Sequence, residues 1–245
     1  MTESIQPTSV PEIKVQSPVA NSMPKWETVA RERVKANLPR AVKPIQSLIE
    51  RDAVEADTRM LVTDLVCDVL GFDKYEDLTA EYQVKGDFAD FGVRVDKQLR
   101  AFIEIKRVKQ DLNKSHLRQV ESYALREGVT WVILTNARVW ELYRVEPVVG
   151  EQSEVTQVFT VDLFDDAMPM KKKAEVLFLI SKESFQKKVL EDFWKSKVAT
   201  SPKVVKKALT SNEVVEAVKK EIYKSHKQRV DGKLILETIK SSLRD

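Results

Sequence analysis

The sequence predicts an α/β fold, in which a central mixed β-sheet is flanked by helices and followed by a C-terminal helical appendage. Three observations predict it. Apolar residues recur at helical spacing up to residue 70, and at strand spacing from residue 80 to residue 108. A further helical stretch and two more apolar strands follow before residue 146. Two runs of strands with a helix between them indicate a mixed sheet with helices packed against it.

Three parts are expected in the chain of 245 residues. Residues 1–24 are rich in Ser, Pro, Thr and Val, which predicts a disordered tail. Residues 25–164 contain the alternating helices and strands and form the expected main domain. Residues 165–245 carry weaker, mostly helical signals and form the expected helical C-terminal region.

The first helices are expected over residues 26–51, with a bend at Pro39 or Pro44, and over residues 54–70. An apolar stripe in the second of these ends at Gly71, a residue type that commonly stops helices. The members of this stripe are Met60, Leu61, Leu65, Val69 and Leu70.

The stretches "AEYQV", "DFADFGVRV" and "RAFIEIKRV" predict three consecutive strands, of which the last two form a hairpin. "SHLRQVESYALREG" predicts a helix that ends at Gly128. "TWVILTNARVWELYRV" predicts two strands joined by a turn at residues 136–138.

After Pro147, "EVTQVFTVDLF" predicts a strand and "KKKAEVLFLISKESF" predicts a helix. Pro202 marks an expected break, and Thr210 and Glu213 have the spacing of a capping box at the start of the next helix. "DGKLILETIKSSLRD" predicts a final helix.

Composition excludes several classes of protein. The single cysteine, Cys67, cannot form an internal disulfide, and with only His116 and His226 beside it a zinc site is not expected. No run approaches the ~20 apolar residues of a membrane span, and the N-terminus lacks the pattern of a secretory signal. A cytoplasmic protein without a membrane partner is therefore expected.

Two charged residues interrupt the apolar strand "AFIEIKR". Alternate residues of a strand share a face, so Glu104 and Lys106 point the same way. If this strand pairs with the one before it, Asp90 approaches Glu104. Two close carboxylates suit Mg²⁺, and a neighbouring amine suits developing negative charge. The alternative is a solvent-facing ion pair on an edge strand.

Two i,i+4 pairs on the predicted helices accompany these residues. Gln119 and Tyr123 share one helix face, as do Glu55 and Arg59. Each pair could also be an ordinary surface or half-buried pair. His116 precedes Gln119 by one turn and is expected at the surface.

The ordered motifs "EADTR", "ADFGV", "IEIK", "QVESY" and "VILTNARVWELYRV" resemble the nuclease domain of the PD-(D/E)xK superfamily. The chain is most similar to the N-terminal nuclease domain of type I restriction enzyme motor subunits and to predicted type IV restriction endonucleases. The resemblance covers residues 54–145, under half of the chain, and implies a restriction-endonuclease-like fold.

The resemblance also implies roles for these residues. Asp90 and Glu104 would bind Mg²⁺, or Mn²⁺ as a substitute, with Glu55 completing the shell. Lys106 would act on the attacking water or the scissile phosphate. Gln119 and Tyr123 would contact the metal site or the DNA backbone, and Arg59 would support the site. Asp87 and Asp96 compete with Asp90 for the position of the metal-binding aspartate.

A Mg²⁺-dependent DNA endonuclease in restriction or defence against foreign DNA is therefore expected. No phosphate loop of a helicase motor is present in the sequence. Cleavage of both strands would favour a homodimer, and a larger restriction or defence subunit is a further expected partner. The alternative is a module that retains the nuclease fold but only binds nucleic acid or a partner protein, with weak or no catalysis.

Overall fold

The structure is a computed structural model that describes residues 23–84, 87–147 and 153–242. The tail predicted over 1–24 lies outside the described residues, except for its last two. The chain divides after Leu190 into two compact units. Within the described ranges, no helix has the length and apolar character that a membrane span requires.

Three helices precede the sheet. Helix α1 (Lys25–Asn37) is followed by a short 3₁₀ helix (Leu38–Ala41) and by α2 (Val42–Glu50). The predicted bend is therefore at Pro39, within the 3₁₀ helix. Pro44 lies in the first turn of α2, where a missing N–H group costs no helical hydrogen bond.

Of the five residues in the stripe predicted for helix α3 (Glu55–Asp68) and its extension, Leu65, Val69 and Leu70 are buried as predicted. Met60 is 71% exposed, and the buried face carries threonines whose hydroxyls find backbone partners. Thr58 accepts a hydrogen bond from Val108 N (3.1 Å), and Thr63 donates to Arg59 O (2.8 Å). The buried residues of α3 and its C-terminal extension are Thr58, Val62, Thr63, Leu65, Val66, Val69 and Leu70.

Gly71 ends this region with a φ of +83°, in the left-handed region that favours glycine. A Cβ atom at this position would lie 2.3 Å from the guanidinium of Arg33. The predicted helix stop is confirmed, and it has both a conformational and a steric reason.

Six strands in the described residues form one mixed sheet in the order β1-β2-β3-β4-β5-β6. They are β1 (Leu78–Val84), β2 (Asp87–Val95), β3 (Gln98–Ile105), β4 (Trp131–Thr135), β5 (Val139–Glu146) and β6 (Glu154–Asp162). All neighbours are antiparallel except β3 and β4. The predicted hairpin of β2 and β3 is confirmed. Its turn residues, Asp96 and Lys97, both have positive φ, as a two-residue type I′ turn requires.

Helix α4 (Lys114–Glu127) is the crossover that makes β3 and β4 parallel. Asn113 caps it by accepting hydrogen bonds from Ser115 N and His116 N, and Gly128 ends it in the left-handed conformation, as predicted. A core cluster forms between α4 and the sheet. It consists of Val84, Ala89, Phe102, Val120, Tyr123, Ala124, Val129, Val132 and Val145.

Residues beyond the sheet also belong to the first unit. Helix α5 (Met170–Leu177), a 3₁₀ helix (Phe178–Ile180) and α6 (Lys182–Gln186) follow β6. The buried amine of Lys173 donates to Leu163 O (2.9 Å) and Asp165 O (2.7 Å). Arg33 of α1 binds Glu183 of α6 at 2.7 Å. The division of the chain therefore lies after Leu190 and not at the predicted residue 165.

The second unit is helical, as predicted. Helix α7 (Val189–Ala199) begins at the division and is followed by α8 (Pro202–Leu209), α9 (Asn212–His226) and α10 (Gly232–Ser242). The predicted capping box is wrong. Ser211 caps α9 by accepting from Val214 N, whereas the Thr210 hydroxyl donates to Lys206 O of α8 at 2.9 Å. Val215 and Ile235 are the buried residues of α9 and α10.

Candidate functional site

The register of the hairpin brings two predicted acids together. Phe91 pairs with Ile103 across β2 and β3, so the next position places Asp90 beside Glu104. The exposed fraction is 8% for Asp90 and 3% for Glu104. Because β3 lies between β2 and β4 and Glu104 is buried, Glu104 and Lys106 are not a solvent-facing pair on an edge strand.

Both carboxylate oxygens of Asp90 have partners. Its Oδ2 accepts a hydrogen bond from Ile105 N at 2.7 Å, which ties the carboxylate to the end of β3. Its Oδ1 accepts a short hydrogen bond from Arg59 Nη2. Arg59 also lies 3.8 Å from Glu81 Oε1, and its buried Nε has no partner among the described residues.

Only one of the two carboxylate oxygens of Glu104 has a hydrogen-bond partner among the described residues. Its Oε1 accepts from Lys106 Nζ at 2.6 Å, whereas its Oε2 is buried without a hydrogen-bond partner in the described part of the chain. Burial raises the pKa of Glu104, and the charges of Asp90 and Glu55 raise it further, against the hydrogen bond from Lys106. The ionised carboxylate therefore has less compensation than its charge requires.

The pKa of Lys106 depends on the same carboxylates. Burial alone would lower the pKa of its amine, but the hydrogen bond to Glu104 and the charges of Glu104, Glu55 and Asp90 outweigh burial and raise the pKa. The backbone N–H of Lys106 donates to Thr135 O at 2.9 Å, which fixes the start of its side chain at the end of β3. Lys106 is thus positively charged, and its position is fixed by these contacts.

An open cavity of about 300 Å³ collects these groups. It contains six of the seven residues that the sequence assigned to the site, while Tyr123 is absent from its lining. A larger cleft of about 510 Å³, which Arg40 and Asp64 help to line, contains none of the seven. The lining of the smaller cavity is Glu55, Arg59, Glu81, Phe88, Ala89, Asp90, Glu104, Lys106 and Gln119.

Tyr123 has a supporting position instead of a contact with the cavity. It is 2% exposed and belongs to the core cluster under α4. Its hydroxyl accepts a hydrogen bond from Gln119 Nε2 at 3.0 Å. The expected contact between Tyr123 and a metal site or a DNA backbone is therefore corrected: Tyr123 orients Gln119, and Gln119 reaches the cavity.

The two competing aspartates do not replace Asp90. Asp96 lies in the turn between β2 and β3, where its carboxylate accepts from Gln186 Nε2 at 3.1 Å. Asp87 begins β2, and its side chain lies outside the described residues.

The donor set can be compared with what a divalent cation requires. Among residues 23–84, 87–147 and 153–242, no group of three or more His, Cys, Asp or Glu side chains is arranged to hold a metal. The donor type nevertheless fits Mg²⁺, because Glu55, Asp90 and Glu104 line one cavity and the buried Glu104 Oε2 has no partner within these ranges. A metal ion at Asp90 would compete with Arg59, which already binds Asp90 Oδ1.

Three residues near the site have roles that the sequence did not suggest. Thr58, with no exposed surface, links α3 to the segment after Lys106 through Val108 N. Asn136 donates to Gln110 O at 2.9 Å and so holds the same segment from β4. These contacts join residues 26 to 50 positions apart, so no local pattern marks them.

His116 is the third residue near the site whose contacts the sequence did not suggest. Asn113 Oδ1 is taken by the N-terminus of α4, so Asn113 presents its Nδ2 to His116 Nε2 at 3.4 Å, and Gln110 Nε2 lies 3.0 Å from the same atom. An amide nitrogen only donates, so Nε2 accepts and the proton lies on Nδ1. Burial and the charge of Lys106 lower the pKa of His116, which favours this neutral form.

Comparison with known proteins adds no relative. No protein-family model, no curated protein and no solved structure matches this chain.

Proposed function

We propose that this chain is a cytoplasmic deoxyribonuclease that depends on Mg²⁺, or on Mn²⁺ as a substitute, and acts in restriction or defence against foreign DNA. The observation that carries the proposal is one cavity lined by Glu55, Asp90, Glu104 and Lys106, in which a buried oxygen of Glu104 has no hydrogen-bond partner among the described residues. The resemblance to PD-(D/E)xK nucleases supports it, since four of its five motifs contribute residues to this cavity.

Asp90 and Glu104 would hold the metal ion, with Glu55 completing the ligand set. When bound, the ion would supply positive charge and Lewis-acid polarisation next to the scissile phosphate. Lys106 is held by Glu104 at 2.6 Å and keeps its proton, so its ammonium would stabilise the negative charge that grows on the phosphate. Gln119, fixed by Tyr123, would donate its amide to a phosphate oxygen.

Two basic residues that follow the cavity lysine in the chain support DNA as the substrate. Arg107 and Lys109 lie one and three positions after Lys106, and they are 3.4 Å and 3.6 Å from the same carboxylate, that of Asp52. Two cations on one acid leave net positive charge. Such charge binds a phosphate backbone without reading its sequence.

The second candidate is a binding module with weak or no catalysis. The observation that favours it is that Arg59 and Lys106 already neutralise Asp90 and Glu104, while no closed three-ligand group occurs in the described residues. This candidate predicts salt-sensitive DNA binding that does not depend on Mg²⁺ and is unchanged in Glu104→Ala.

A plasmid-cleavage assay separates the two candidates. The wild type should cut with Mg²⁺ or Mn²⁺, and EDTA should stop it. Asp90→Asn and Lys106→Ala should each lower the rate by about 100-fold or more, because each removes a charge from the reacting centre. Asp96→Asn, in the hairpin turn outside the cavity, is the matched control and should cut like the wild type. Cleavage that survives EDTA and both variants would exclude the proposal.

A further inference from the structure

The cavity contains one large apolar side chain whose presence neither the fold nor the charged site explains. Phe88 lies on β2 two residues before Asp90, so the two side chains share a face of the strand. Its exposed fraction is 51%, whereas Phe91 of the same strand is 5% exposed. Phe91 is thus part of the core, while Phe88 is half exposed and lines the cavity.

The described part of the protein places no aromatic ring and no cation over the face of this ring. In the described residues no aromatic ring stacks on Phe88, while Tyr82 and Phe102 pair with each other at 5.4 Å. The cationic groups that line the cavity, Arg59 and Lys106, are bonded to Asp90 and Glu104. An exposed ring face beside a site for a backbone phosphate is the combination with which proteins bind single-stranded nucleic acid.

The spacing along β2 fits one nucleotide. Side chains two positions apart on a strand are on the order of 7 Å apart, which is comparable with the span from the phosphate of a nucleotide to its base. A phosphate beside Asp90, Glu104 and Lys106 would therefore bring a neighbouring base to Phe88. In a duplex the base faces are covered by their neighbours, so a side chain there meets base edges and cannot stack without opening the helix.

We infer that Phe88 stacks on an unpaired base next to the scissile phosphate, and that the substrate is single-stranded or locally unpaired DNA. The inference rests on the proposed function for the identity of the phosphate. The stacking itself can be measured without cleavage.

Binding is measured on the full chain with Ca²⁺ in place of Mg²⁺, since Ca²⁺ also takes oxygen ligands, using a labelled single strand of thymidines and a duplex of the same length. Phe88→Ala should weaken single-strand binding about tenfold or more and duplex binding less than twofold, as expected for the loss of one stacked base. Phe88→Trp should retain binding. Phe88→Leu should behave like Phe88→Ala, because it keeps apolar area but not the flat ring. Tyr75→Ala, at a residue 86% exposed and outside the cavity lining, is the control and should match the wild type.

A spectroscopic signature adds a readout that a structural role would not move. A 2-aminopurine placed in the single strand should lose fluorescence on binding the wild type and Phe88→Trp, but not on binding Phe88→Leu. Equal losses on both DNAs, full single-strand binding by Phe88→Leu, or no binding of either DNA by the wild type would overturn the inference.

The two proposals fail in different ways. If the wild type never cleaves but its preference for single strands depends on Phe88, the nuclease proposal is wrong and the stacking stands. If the wild type cleaves and Phe88→Ala cuts both DNAs like the wild type, the stacking is wrong and the nuclease proposal stands.

Discussion

Glu104 shows what a single buried carboxylate costs the fold. Its Oε1 bonds to Lys106, while its Oε2 is buried without a partner among the described residues. Glu183 is a comparable carboxylate, but both of its oxygens accept hydrogen bonds from the guanidinium of Arg33 at 2.7 Å. Burial opposes ionisation at both sites, but the two pKa values move in opposite directions. Burial wins at Glu104 and raises its pKa, whereas the bonds from Arg33 win at Glu183 and lower its pKa.

The opposite shifts predict opposite effects of removing the charge. A carboxyl group whose folded pKa is raised contributes stability below its unfolded pKa, near 4.5, and loses that contribution as the pH rises through the folded value. Glu104→Gln should therefore be more stable than the wild type at pH 8, with the difference vanishing below pH about 4.5.

Glu183→Gln is the matched control for this prediction. Its folded pKa is lowered, so its contribution is present at neutral pH and is lost as the pH falls through the folded value. This variant should be less stable than the wild type at pH 8. Urea unfolding from pH 4 to pH 8 measures both differences, and the same sign for the two variants would contradict the assignment.

The contact between α3 and the segment after β3 decides the geometry of the cavity at the level of elements. Helix α3 carries Glu55 and Arg59, and β3 carries Glu104 and Lys106. The hydroxyl of Thr58 joins the two elements by accepting from Val108 N at 3.1 Å, in the buried interior. The position of Glu55 and Arg59 relative to Glu104 therefore depends on a threonine that does not line the cavity.

Removal of this hydroxyl should loosen the site. Thr58→Val keeps the shape but leaves Val108 N–H buried and unpaired, which should cost about 1–3 kcal/mol of unfolding free energy. Cleavage should fall with it, and Thr58→Ser, which keeps the hydroxyl, should restore both. Thr63→Val is the control, because Thr63 donates only to Arg59 O within the same helix. Urea denaturation and cleavage rates give the two readouts; equal stability of Thr58→Val and the wild type would show that the contact is dispensable.

The same contact explains which elements local sequence predicts well. Strand β3 follows from its alternation, and the pairing of β2 with β3 places Asp90 beside Glu104 after a two-residue turn. The buried face of α3 does not follow from apolar residues alone. Thr58 turns inward because its partner lies 50 positions later, and Met60 turns outward as a result. A stripe counted from hydrophobicity cannot include such a partner.

The boundary between the two compact units was not predicted correctly, for a related reason: it depends on contacts between residues far apart in the sequence. Lys173 reads as a surface residue in "KKK", yet it is 4% exposed because its amine reaches two backbone carbonyls near the end of β6. The Arg33–Glu183 pair joins positions 150 residues apart. Composition changes at residue 165, but these contacts keep residues 165–190 in the first unit. Every residue of the candidate cavity lies in that unit.

Because the cavity belongs to the main compact unit, metal binding there should be seen in unfolding of the molecule. A ligand that binds only the folded state stabilises it by about 2.7 kcal/mol at a hundredfold excess over its Kd. We therefore expect Mn²⁺ or Mg²⁺ to raise the Tm of the wild type by several °C. Asp90→Asn should lose this rise, because one of the two central ligands becomes neutral. Asp52→Asn is the control: it removes an exposed acid outside the cavity lining and should keep the full rise. Differential scanning calorimetry across metal concentrations measures the effect without requiring cleavage. A rise that persists in Asp90→Asn would place the metal elsewhere, whereas no rise in the wild type would favour the binding module over the nuclease.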